Sequence, residues 1–197
     1  MDVASTRYEP ASLLNEPAPL GYKLFFALFP EPLDVERLYG ASTRILSAHA
    51  LRQTRQSVDR LHVTLCTVHD DMLGMPQQMI NAAIAAGQKI QALRLPLRLD
   101  SAASFKKHGA FMLRADASTD AAVAGFRRPL MTVLRRFGMK PTESRNAHMS
   151  LVYRCEHEVK PHAIEPLCWT ACRFVLVLSH VGRTRHEWLA AWPLSCR

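Results

Sequence analysis

The chain has 197 residues, 48% of them hydrophobic and 21% charged, enough apolar material for one core or for two small lobes that share one. Lys and Arg number 25 against 17 Asp and Glu, a formal charge of +8, and 19 of those cations are Arg, whose planar fork chelates phosphate oxygens. A polyanionic partner fits this balance, whereas the longest apolar runs, Leu24 to Phe29 and Phe174 to Leu178, fall far short of the roughly 20 residues that cross a bilayer.

Residues 1–20 carry three prolines and the acids Asp2, Glu9 and Glu16 but no apolar signal segment, so they are expected to form a flexible lead into a single domain over 21–197. The five cysteines are odd in number and scattered, which suits reduced thiols in a cytosolic protein and not a secreted disulfide scaffold. Gly21 to Phe29, stopped by Pro30-Glu31-Pro32, reads as a buried strand. Leu38, Ala41, Ile45 and Ala48 then recur at helical spacing over 34–51, with Asp34 as N-cap. Leu61 to Val68 alternates as a strand, and Pro76 to Gln91 is a second helix.

Leu93 to Leu99 and Ala110 to Arg114 form a hairpin around Lys106-Lys107-His108-Gly109, and Pro96 marks its first strand as an edge. Val123, Phe126, Leu130, Val133, Leu134 and Phe137 make a helical stripe ending at Gly138, with a kink at Pro129 and with Arg127, Arg128, Arg135 and Arg136 on the solvent side. Ala147 to Tyr153, Arg173 to Val181 and Glu187 to Trp192 complete the order βαβαββαβββ. No strand is followed by a G-x-G-x-x-G or P-loop turn, so a nucleotide-binding parallel sheet is excluded and a mixed α+β fold with helices on antiparallel sheet is expected.

One short pattern occurs twice: Leu61-His62-Val63-Thr64-Leu65 and Ala147-His148-Met149-Ser150-Leu151. From the chain's own composition about 0.06 chance matches are expected for His, apolar, hydroxyl, Leu. Strand alternation sends Leu61, Val63 and Leu65 into the core and leaves His62 and Thr64 together on the other face; Ala147, Met149 and Leu151 likewise leave His148 and Ser150. Two imidazoles and two hydroxyls suit in-line displacement at a phosphodiester. One imidazole takes a proton from the nucleophile, the other gives one to the leaving oxygen, and the hydroxyls hold the non-bridging oxygens. This chemistry requires no metal and no cofactor.

With these residues the chain resembles the 2H phosphoesterase superfamily, specifically the LigT-like RNA 2',3'-cyclic phosphodiesterases, also called 2'-5' RNA ligases. The likeness runs over most of 21–194 and rests on Lys23 to Pro30, the two motifs, the hairpin around Phe105, Glu187-Trp188-Leu189 and Trp192-Pro193-Leu194. It implies two pseudo-symmetric lobes of antiparallel sheet with flanking helices around a basic cleft. It also implies His62 as proton donor to the leaving ribose oxygen, His148 as the base that activates water, and Thr64 and Ser150 as phosphate ligands. Departures are Ser150 where Thr is commoner, Ala147 where Pro is usual, and Tyr153 where many relatives carry Arg. Continued alternation would put the next residue, Arg154, on the His148 face as a phosphate ligand. Phe105, beside Lys106-Lys107, is the aromatic placed to stack a base.

The expected activity is hydrolysis of 2',3'-cyclic phosphate at RNA ends or on nucleotides, with 2'-5' ligation as its reverse, by a cytoplasmic monomer. The rival readings are a phosphodiesterase for another cyclic or 2'-5' linked nucleotide and a non-catalytic RNA-binding protein. Cys155, His157, His162, Cys168 and Cys172 have spacings within zinc-ligand range, yet buried free thiols explain them more simply and no metal is expected. His49, His108, His157, His162, His180 and His186 lack a hydroxyl two residues on and read as ordinary surface.

Overall fold

A computed structural model describes residues 19–51, 55–71, 74–105, 109–143 and 146–196. Most of the N-terminal segment and the Lys106-Lys107-His108 part of the hairpin turn lie outside the described residues. The elements in chain order are β1 (Gly21–Leu28), α1 (Pro32–Ala48), a 3-10 turn (Val58–Arg60), β2 (Val63–Asp71), α2 (Gln77–Gly87), β3 (Leu95–Ser104), β4 (Phe111–Ala115), α3 (Ala117–Arg136), β5 (His148–Val152), β6 (His162–Ala171), β7 (Arg173–Val181) and β8 (Arg185–Pro193). They build two four-stranded antiparallel sheets, β2-β1-β7-β8 and β5-β4-β3-β6, with the helices packed on them. The expected α+β class with two sheets is the class observed.

β1 and β7 sit in the middle of the first sheet and are covered on both faces, which is why their apolar runs are continuous and not alternating. Leu24, Phe26, Leu28, Phe174 and Leu176 belong to one core that also takes in Leu97, Phe111, Leu130 and Leu151 from the other half. On the opposite face of the first sheet, Phe25, Ala27, Phe29, Val175 and Val177 form a second, smaller apolar cluster.

Several expectations are corrected. Glu31 holds the N-cap position of α1 without a capping hydrogen bond, its carboxylate accepting from Arg173 instead; Pro32 opens the first turn, where a proline needs no N–H partner, and Asp34 lies inside that turn. β3 is a central strand of its sheet. Pro96 is tolerated because β4 pairs only from Leu99 onward, so at Pro96 the strand has β6 as its ladder partner and an open side. α3 continues through Pro129 without interruption.

β6 has no strand signal in the sequence. It is an edge strand with one buried face, carrying Glu165 and Pro166, and its polar half hides the periodicity. Among the described residues no three His, Cys, Asp or Glu side chains converge, and the five cysteines are free thiols: Cys66 and Cys155 are buried, Cys168 and Cys196 exposed. No helix among the described residues is long and apolar enough to cross a membrane.

Candidate active site

His62 lies one residue ahead of β2 and His148 opens β5, one from each sheet. Leu61, Val63, Leu65, Ala147, Met149 and Leu151 are all fully buried, so their neighbours His62, Thr64, His148 and Ser150 face outward as alternation requires. All four line one cleft of about 790 Å³ between the sheets. Lys23 and Thr67 add to its first wall; Phe105, Met112, Arg114 and Tyr153 add to its second.

The two histidines are held by the same device. His62 Nδ1 lies 2.7 Å from the carbonyl of Arg60, and His148 Nδ1 lies 2.9 Å from that of Asn146, in each case two residues upstream. A carbonyl can only accept, so Nδ1 carries the proton and donates it, leaving Nε2 of each neutral ring with the lone pair. The rest of the environment differs. The His62 ring packs 5.1 Å from Phe25, 5.4 Å from Phe29 and edge-on to His186 at 5.3 Å. Burial lowers its pKa to about 4; the Arg60 carbonyl opposes the fall, while the charges of Arg60, His148 and Lys23 add to it. His186 is pushed to about 3, first by burial and then by His62, Arg60 and His180. It is therefore a neutral neighbour of His62, not ordinary surface.

α3 ties both motifs in place, which the sequence reading missed. Arg127 is 3% exposed; its Nε donates to Leu65 O at 2.6 Å and its Nη2 to Thr64 O at 3.2 Å. Both carbonyls belong to β2, an edge strand of its sheet, at the bulge where its register against β1 shifts. Two helical turns away, Asp120 accepts from Ala147 N at 2.5 Å and from Asn146 Nδ2 at 2.6 Å. A spacing of seven keeps both side chains on one face of the helix, so opposite charges on α3 grip opposite walls of the cleft. The expectation that Arg127 faces solvent is wrong. It falls four residues after Val123 and three before Leu130, inside the buried stripe, and that spacing outweighed its charge.

Arg154 does not line the cleft. β5 ends at Val152, and Arg154 follows in a left-handed conformation with φ 59°, so the alternation that placed it beside His148 has already stopped. Among the described residues, the cations brought to the cleft are Lys23 and Arg114, the latter directly across the ladder from His148. The place of Arg114 follows from the β4–β5 ladder, which closes across α3 and has no local turn signal in the sequence. Phe105 is 63% exposed at the rim. His49 and His162, also read as surface, meet Nε2 to Nε2 at 2.9 Å between the end of α1 and the start of β6.

Two four-stranded antiparallel sheets of this order, with helices packed on them, are the fold of LigT, and the chain has that LigT-like fold. Apo LigT of E. coli superposes with a TM-score of 0.67 at 20% identity, covering 89% of this chain and 98% of LigT. TT0787 of Thermus thermophilus gives 0.64 at 20% identity over 88% and 98%, and the PDE domain of MHV ns2 gives 0.54 at 17% over 80% and 98%. LigT has been crystallised with 3'-AMP and with ATP. No family model and no curated protein matches the chain in sequence.

Proposed function

We propose that the protein hydrolyses 2',3'-cyclic phosphodiesters at RNA ends or on nucleotides, with 2'-5' ligation as the reverse reaction. The observation that carries this reading is the pair of imidazoles on opposite walls of one cleft. Each is fixed through Nδ1 to the carbonyl two residues back, and each is followed two residues on by a hydroxyl. The nucleotide ligands of LigT, a protein of the same fold, are consistent with it.

In the reaction, Nε2 of His148 removes a proton from water as the water oxygen attacks phosphorus. The P–O bond to one ribose oxygen breaks, and His62 delivers a proton to that oxygen, giving a phosphate monoester and a free hydroxyl. Thr64, Ser150, Lys23 and Arg114 stabilise the charge on the non-bridging oxygens. Neither proton transfer needs a Lewis acid. With a pKa of about 4 in the free protein, His62 is neutral near pH 7. The donor therefore takes up its proton together with the substrate, whose phosphate charge raises the imidazole's pKa. One chain supplies both histidines, so a monomer suffices.

Hydrolysis of a 2',3'-cyclic mononucleotide in the presence of a chelator tests the reading. Turnover by the wild type that is lost in His148→Ala is the expected result. A wild type inert on every cyclic and 2'-5' linked nucleotide, yet able to bind RNA, would leave the binding-protein reading in its place.

A further inference from the structure

The first sheet carries an aromatic surface that the chemistry above does not use. Across the strands, register places Thr67, Phe25, Val177 and Trp188 in one row and Lys23, Ser179 and His186 in the next, on the face that holds His62. Phe25 and Phe29 are 3% exposed and Val177 is fully buried, whereas Trp188 on β8 leaves 47% of its surface to solvent. The Phe29 ring lies 5.4 Å from His62 and 4.8 Å from Trp188, so the two outer rings are joined through one aromatic side chain. The whole span is about 10 Å or less, one to three stacked nucleotide steps of about 3.4 Å. Trp169, in contrast, is 4% exposed, and Trp192 stacks on Phe174 at 4.9 Å.

An exposed indole joined through Phe29 to His62, at the edge of a cationic cleft of about 790 Å³ in a chain of charge +8, fits a nucleobase better than an apolar protein surface, because stacking uses the ring while Lys23 and Arg114 meet the backbone. We propose that Trp188, backed by Phe29, stacks a base of an RNA strand one or two nucleotides from the reacting phosphate. On the proposed function, on which this rests, the terminal base sits on the Phe105 side of the cleft and the strand leaves over Trp188. The substrate class is then an oligonucleotide end, in preference to a free mononucleotide.

The test compares kcat/KM for a six-nucleotide RNA ending in 2',3'-cyclic phosphate with that for a 2',3'-cyclic mononucleotide. In Trp188→Ala the ratio of the two should fall about five- to a hundred-fold, the size of one base–aromatic stack, and Trp188→Phe should recover much of it. An unchanged ratio in Trp188→Ala, or a Phe variant as low as the Ala variant, overturns the proposal. A binding measurement separates its failure from failure of the proposed function. The same RNA with a 3'-phosphate should saturably quench tryptophan fluorescence of the wild type, and its affinity should drop in Trp188→Ala even if no substrate is turned over. Equal affinity in the two proteins would show that this surface does not contact RNA, as would be found if it served a protein partner.

Discussion

Replacing Arg127 by Met probes the link between fold and site, because the change keeps the stem of the side chain and removes only its guanidinium. Two carbonyls of the first motif, the buried Leu65 O and the part-buried Thr64 O, then lose their charged donors, Arg127 itself being 3% exposed. Hydrogen bonds from a charged donor contribute about 1.5–3 kcal/mol each, and a stranded buried acceptor costs about 1–3 kcal/mol. Set against this is the desolvation of a buried cation, which the methionine does not incur. The ion pair to Glu143, 3.7 Å away and half exposed on the acidic side, contributes little. The net loss is about 2–4 kcal/mol. In a chain of this size each kcal/mol moves Tm by about 2–4 °C, so thermal unfolding should shift down by roughly 5–15 °C. Assayed well below that midpoint, the variant should also lose about tenfold in kcat, since His62 and Thr64 ride on the loosened strand. The conservative change Arg127→Lys should keep part of the stability, one ammonium replacing a two-donor fork. An Arg127→Met protein with wild-type Tm and wild-type kcat would refute the idea that α3 holds the motif.

His62→Ala and His148→Ala should each cut turnover of a cyclic phosphate by about 10²–10⁴-fold while keeping the circular dichroism of the wild type; near-normal turnover in either removes that histidine from the mechanism. A substrate whose leaving oxygen needs no proton should rescue the His62 variant and not the His148 variant, and the reverse pattern would exchange their roles. Stability should depend on pH in a defined direction. His62 at about 4 and His186 at about 3 lie below the 6.5 of the unfolded chain, which therefore binds more protons between those values. Stability is full above pH 6.5 and falls as the pH drops towards 4, by up to about 1.4 kcal/mol per pH unit for each histidine. Tm measured at about pH 7.5 and about pH 5 should show this fall, lessened in His186→Phe; a Tm independent of pH would contradict the burial argument. Gly87→Ala places a methyl 2.5 Å from the Trp192 ring and should cost about 1–3 kcal/mol, read as a lower urea midpoint.

Local pattern carried much of this protein. The duplicated motif named His62, Thr64, His148 and Ser150, and strand alternation gave their facing, because side-chain direction in a strand depends only on the next residues along the chain. The strands β1, β2, β4, β5 and β7, together with all three helices, were legible for the same reason, their apolar periods being strong. What failed were readings that needed a distant partner. β6 escaped because an edge strand buries one face and is defined by its ladder to β3. Arg154 was misplaced because the end of a strand is set by where pairing stops, and Arg127 because a cation is buried only when carbonyls 62 and 63 residues away converge on it. The lowered pKa of His62, the neutral His186 beside it and the exposed Trp188 in line with both likewise depend on packing across β1, β7 and β8. Sequence fixes which groups are present and which side of a strand they take, and only tertiary structure decides their solvent, their neighbours and hence their charge.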